Sequence, residues 1–195
     1  MGKKPFKVQD KFFHKAKDDG YVARSAYKLE EIQKRHQLIK KGDHILDLGC
    51  APGSWAQLAS KLIGPNGYLE GIDLKEVSLN LRNASFQVRD VFELQPEDLE
   101  KGSYDVMISD MAPSTSGVIF QDQCRSEELC MKVLELCPKF LKPGGNMVMK
   151  LFMGPGQNEV LAATREKFSK VKQSKPESTR SASKEFFVIG LGFKS

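Results

Sequence analysis

The sequence predicts an α/β fold: a doubly wound sheet with helices on both faces. Three observations predict it. Short apolar runs alternate with helix-type stretches along most of the chain, the pattern of successive strand–helix units. The run Ile45-Leu-Asp-Leu48 passes through Gly49-Cys-Ala-Pro-Gly53 directly into the helix-type segment 54–63, which Gly53 or Ser54 is placed to cap. Several of the apolar runs close on a polar residue, as strands do where they leave a buried sheet for a crevice. Crossovers between parallel strands are expected to be right-handed.

Taken in order, residues 23–38 carry Ala26, Leu29 and Ile32 at helical spacing, with Gly42 beyond the end. The strand 45–48 and helix 54–63 follow. A Gly-Pro-Asn-Gly turn then leads to a second strand, 68–73, and a third at 86–90. Residues 96–101 read as a short acidic helix and turn, and 104–110 as a buried strand ending in a carboxylate. A helix over 122–141 places Leu129, Val133, Leu136, Cys137 and Phe140 on one stripe, so core packing accounts for Cys130 and Cys137 better than ligation does. Lys142-Pro-Gly-Gly145 reads as a stop, ahead of a strand over 146–152. A helix at 158–168 and strands at 170–174 and 185–191 complete the chain.

At 195 residues the chain is read as one domain over 1–195, with residues 1–20 as a basic N-terminal arm. No apolar run approaches the ~20 residues of a membrane span. The N-terminus lacks the apolar stretch of a secretory signal. Cysteines 50, 124, 130 and 137 form no C-x-x-C pair and have no zinc-spaced partners, so they are read as reduced thiols of a cytoplasmic protein. Charge is uneven: 1–41 carry +7, 42–163 carry −7, and 164–184 carry +5. Two basic blocks around an acidic middle suggest a phosphate-rich partner. Phe6, Phe12 and Phe13 among the N-terminal lysines either stack on bases or anchor the arm to the core.

The turn narrows the ligand. Gly49 and Gly53 give Gly-x-x-x-Gly, not Gly-x-Gly-x-x-Gly, and Pro52 lacks an N–H that a pyrophosphate would use. Asp73 closes the next strand, where a carboxylate grips ribose hydroxyls. Asp90-Val91 closes the third, where a polar group meets an adenine amino group. Ribose without diphosphate points to S-adenosylmethionine. Asp110 and Lys150 lie at strand ends that converge on the same crevice. A lysine within Met-Val-Met-Lys-Leu-Phe is costly to bury unless paired, and desolvation favours its neutral, basic form. Asp110-Met-Ala-Pro113 lacks the aromatic that amino-group methyltransferases place there, so a hydroxyl acceptor is favoured. A dehydrogenase sharing the sheet, or a non-catalytic RNA-binding module using the basic flanks, is the rival reading.

Across nearly its whole length the chain resembles the FtsJ-type ribose 2′-O-methyltransferases. The match runs through A-R-S-A-Y-K28-L, D-L-G-C-A-P-G-S-W, S-D110-M-A-P-S, P-G-G-N-M-V-M-K150 and K-P-E-S-T-R-S-A-S-K-E185. It departs from the bacterial pattern in having Cys50 for Ala and Ser54 for Gly, both small. The resemblance implies the Rossmann-like class I methyltransferase fold, mostly parallel with a final antiparallel strand. It implies a catalytic tetrad of Lys28, Asp110, Lys150 and Glu185, and a donor site using Gly53, Trp55, Asp73, Asp90 and Asp110. Its acceptor would be RNA, with no DNA, membrane or metal involved and the chain acting as a monomer. The short chain is most similar to bacterial members acting on a uridine in the A-loop of large-subunit ribosomal RNA; a tRNA acceptor is the alternative.

Overall fold

The computed structural model describes residues 11–100, 102–114, 116–180 and 182–194. Lys11–Asp18 forms α1 and Ala26–His36 forms α2. There follow β1 (His44–Leu48), α3 (Ser54–Ile63), β2 (Tyr68–Asp73), β3 (Ala84–Val88) and β4 (Tyr104–Ser109). The chain continues through α4 (Ile119–Phe140), β5 (Leu141–Phe152), α5 (Gln157–Lys167), β6 (Phe168–Ser174) and β7 (Glu185–Phe193). The seven strands form one sheet in the order β3-β2-β1-β4-β5-β7-β6. Strands β1 to β5 pair in parallel, and β7 inserts antiparallel between β5 and β6.

Alternation along the strands builds two cores. On β5, Met147, Met149 and Leu151 pack with Val133, Cys137 and Phe140 of α4 and with Val160 and Leu161 of α5. Val148 joins the opposite cluster, with Leu29 and Ile32 of α2, Trp55 and Ala59 of α3, and Phe187 and Ile189 of β7. Lys150 falls on this second face because side chains alternate with period two. Its cross-strand partner is Phe187.

One detail differs from the sequence reading, and two decide between alternatives it left open. The Pro143-Gly144-Gly145 segment does not precede β5 but lies within it. Tyr104 pairs with Leu141 and Val106 with Asn146, so the proline and glycines form a bulge in the ladder. The N-terminal arm is helical from Lys11, and its aromatic side chain docks: the Phe12 ring lies 5.6 Å from Tyr27, whose hydroxyl donates to Asp19 at 2.7 Å. Phe6 and the lysines at 3, 4 and 7 lie outside the described residues. Finally, Ser54 does not cap α3. Gly53 holds the N-cap position, and Ser54 Oγ shares a 2.6 Å hydrogen bond with Ser25 Oγ on the approach to α2.

Leu151 is fully buried between β5 and the α4–α5 layer. Leu151→Ala is expected to cost about 2–5 kcal/mol, read as a lower denaturant midpoint with an unchanged slope.

Candidate active site

The glycine turn is held by its own backbone and by β2. Gly49 and Cys50 donate to Ile72 O at 2.8 and 3.2 Å. Ala51 N and Lys75 N donate to the two oxygens of Asp73 at 2.9 and 2.8 Å, so this carboxylate ties the turn to the end of β2 while keeping lone pairs for a ligand. Gly49 and Gly53 have φ of 76° and 106°. A Cβ at Gly49 would lie 2.2 Å from Met111 Cγ, and one at Gly53 would lie 2.2 Å from Leu79 Cδ1. Both positions therefore need glycine for conformation and for space.

Outside the carboxyl ends of β1, β2 and β4 opens a cavity of about 410 Å³. Its wall includes Gly49, Asp73, Asp90, Val91, Asp110 and Met111. Five of the expected donor residues thus share one cavity. Gly53 and Trp55 do not line it. Gly53 is covered by Val77 and Leu79. Trp55 is turned into the sheet face, 5.6 Å from the Phe187 ring, with Nε1 donating to Ser25 O at 2.9 Å. The buried stripe of α3 carries Trp55, so helix phase sends the indole toward the core.

One acidic group escaped the sequence reading. Asp47 is buried within β1 and, among the described residues, neither side-chain oxygen has a hydrogen-bond partner. Burial, then repulsion from Asp110 and Asp73, pushes its carboxyl well above the usual range. The signal was present: an acid within Ile-Leu-Asp-Leu is as costly as the lysine within Met-Lys-Leu. Asp73, Asp90 and Asp110 in the cavity wall suit a ligand with a cationic centre and ribose hydroxyls. S-adenosylmethionine, with its sulfonium and α-ammonium, has both.

The tetrad assembles at the cavity's edge. Lys150 Nζ lies 3.1 Å from Asp110 Oδ1 and donates to Asp110 O at 2.6 Å. Lys28 on α2 donates to Glu185, the first residue of β7. The Lys28 ammonium sits 5.8 Å from the centre of the Phe187 ring, the same residue that pairs with Lys150. Burial would raise the Glu185 carboxyl, but the charge and hydrogen bond of Lys28, with Lys150 behind, hold it below the usual range. The two ion pairs therefore feel one another. Asp110 belongs to both the tetrad and the cavity wall, and joins them.

The basic blocks also meet. Arg24 donates to Ser178 O, and Glu31 accepts from Glu177 N and Ser178 N at 2.7 and 2.9 Å, clamping the β6–β7 loop onto α2. Arg24 of the first block thereby comes near Arg180 of the last, on the loop that leads to Glu185.

A seven-stranded sheet of this order, with a carboxylate-rimmed cavity at the glycine turn and a buried lysine–aspartate pair beside it, defines a class I methyltransferase. The FtsJ-like methyltransferase family model matches residues 21–193, and the chain belongs to that family. It is 46% identical over 193 residues to "Ribosomal RNA large subunit methyltransferase E" of Oleidesulfovibrio alaskensis, covering 96% of this chain and 93% of that protein. With the protein of the same name from Syntrophobacter fumaroxidans it shares 43% over 190 residues, 95% and 96% of the two chains. Among solved structures, a ribosomal RNA methyltransferase from Plasmodium falciparum superposes with a TM-score of 0.77 at 26% identity, over 89% of this chain and 98% of that one. Aeropyrum pernix fibrillarin bound to S-adenosyl-L-methionine shares the fold, with a TM-score of 0.65 at 19% identity, over 86% and 76%. S-adenosylmethionine is the methyl donor of this enzyme.

The lowered Glu185 carboxyl has a stability consequence. A depressed folded value adds stability that is complete above the ordinary glutamate value, about 4.3. That stability is lost as pH falls through the folded value. Glu185→Gln should therefore lower the denaturant midpoint at neutral pH, with the gap to the unaltered chain closing below about pH 4.

Proposed function

We propose that the chain methylates a ribose 2′-hydroxyl of large-subunit ribosomal RNA, at a uridine of the A-loop, through the Lys28–Asp110–Lys150–Glu185 tetrad. The observation that carries this is the Lys150–Asp110 pair at the mouth of the donor cavity, with Glu185 and Lys28 alongside. The large-subunit name attaches to relatives 43–46% identical over nearly the full length of both chains, which favours ribosomal RNA over tRNA. A cytoplasmic monomer completes the reading.

In this reading Asp73, Asp90 and Asp110 hold the donor, and Gly49 and Val91 shape its cavity. When bound, S-adenosylmethionine supplies a methyl group already activated by the sulfonium. The two basic segments take the RNA backbone and set its orientation. A ribose hydroxyl is a poor nucleophile at neutral pH, so its proton must leave as the oxygen attacks. Lys150 Nζ, having shed one proton, accepts it. Asp110 fixes the direction of that amine: its backbone oxygen accepts from Nζ at 2.6 Å, and its carboxylate lies 3.1 Å away as the ion-pair partner. Lys28 and Glu185 hold the acceptor ribose and balance the charge that appears on Lys150. Trp55 and Phe187 form the apolar floor that keeps bulk water from below the reacting atoms.

Arginine at 150 keeps the charge but does not give up a proton at neutral pH. Lys150→Arg and Lys150→Ala are both expected to lose at least about 10²-fold in single-turnover transfer. Donor binding by calorimetry and RNA binding by filter retention should be unchanged. Glu185→Ala should be the mildest of the four tetrad changes. Near-normal transfer by Lys150→Arg would make the lysine an electrostatic clamp rather than a base.

A further inference from the structure

At the carboxyl end of β5 the chain leaves the sheet through Phe152 and Met153, beside the first turn of α4. Three consecutive apolar residues there, Val118, Ile119 and Phe120, are 58, 61 and 64% exposed, and Met153 is 38% exposed. A contiguous exposed apolar patch marks a candidate binding site. Beside it lies a cleft of about 170 Å³, lined by Ile119, Gln123, Phe152, Met153, Ser183 and Lys184 among others. That is less than half the donor cavity of about 410 Å³. It is also below the ~300 Å³ at which whole small-ligand sites begin, so the cleft is sized for one ring system.

Its position identifies the occupant. Phe152 lies two residues beyond Lys150 on the same face of β5 and pairs in register with Glu185. Two strand residues span about 7 Å. Met153 N donates to Lys184 O at 2.7 Å, and Glu185 N donates to Ser183 Oγ at 3.4 Å. The cleft is thus walled by the same two strand ends that carry Lys150 and Glu185. A ribose held over the tetrad carries its base within that span. Gln123 donates one amide hydrogen to Met153 O. A carboxamide has a second N–H and a carbonyl acceptor as well, a pattern that complements the polar edge of a base.

We propose that this cleft receives the nucleobase of the acceptor nucleotide, with Ile119 and Met153 flanking the ring and Gln123 at its edge. The proposal rests on the ribose 2′-O-methylation reading above. The test uses a large-subunit RNA fragment containing the methylated nucleotide, and the same fragment with the base removed at that nucleotide only. For Ile119→Ala and Met153→Ala, KM for the intact fragment should rise about ten-fold, with donor affinity and melting temperature unchanged. On the abasic fragment the variants should match the unaltered chain. Normal KM in both variants, or the same loss on abasic RNA, would overturn the base cleft while leaving the reaction intact. A lower sedimentation mass in the variants would assign the patch to a second copy of the chain instead. Absence of transfer by the unaltered chain would remove the underlying reading as well.

Discussion

The ion pair between Lys150 and Asp110 is the interaction on which the site depends, and it exists because β4 and β5 are parallel neighbours. Their registers place Ser109 opposite Met149, so the next residue on each strand meets across the ladder. A lysine ammonium in that apolar setting needs a partner, and Asp110 supplies two oxygens. The same aspartate faces the donor cavity. One residue therefore couples the geometry of the acceptor side to that of the donor side.

The second pair is built from the opposite end of the sequence. Inserting β7 antiparallel between β5 and β6 sets Phe187 against Lys150 and Glu185 against Phe152. Packing α2 on that face brings Lys28 to Glu185 over the Phe187 ring. Glu31 and Arg24, by gripping the backbone of residues 177 and 178, hold the preceding loop to the same helix. The tetrad is thus a product of sheet order and helix docking, with no local motif that assembles it alone.

Much of this was legible beforehand. The bounds of α3 and β2 follow directly from the sequence, because a glycine turn starts one and Gly-Pro-Asn-Gly separates them. The crevice residues Gly49, Asp73, Asp90 and Asp110 were legible because each sits at a strand end, where topology fixes the destination. That the Trp55 indole packs against Phe187 was not legible, because nearness in sequence to a turn says nothing about helix phase. The insertion of β7 between β5 and β6 rests on pairings distant in sequence, which no local period records; the family resemblance anticipated a final antiparallel strand but not its place. The bulge at Pro143 to Gly145 was missed because those residues signal a loop whether or not the ladder resumes around them. Asp47 was missed although the argument that singled out Lys150 applies to it equally.

The central claim is that a proton leaves the ribose hydroxyl to an amine whose charge is set by the neighbouring carboxylates. The most direct test is the pH profile of single-turnover transfer at saturating donor and RNA, for the unaltered chain and for Glu185→Gln. The account predicts a rate that rises with pH through one ionisation. Removing the Glu185 charge favours the uncharged amine, so the rising limb should move to lower pH. A profile that is flat, or one that Glu185→Gln leaves in place, would contradict it.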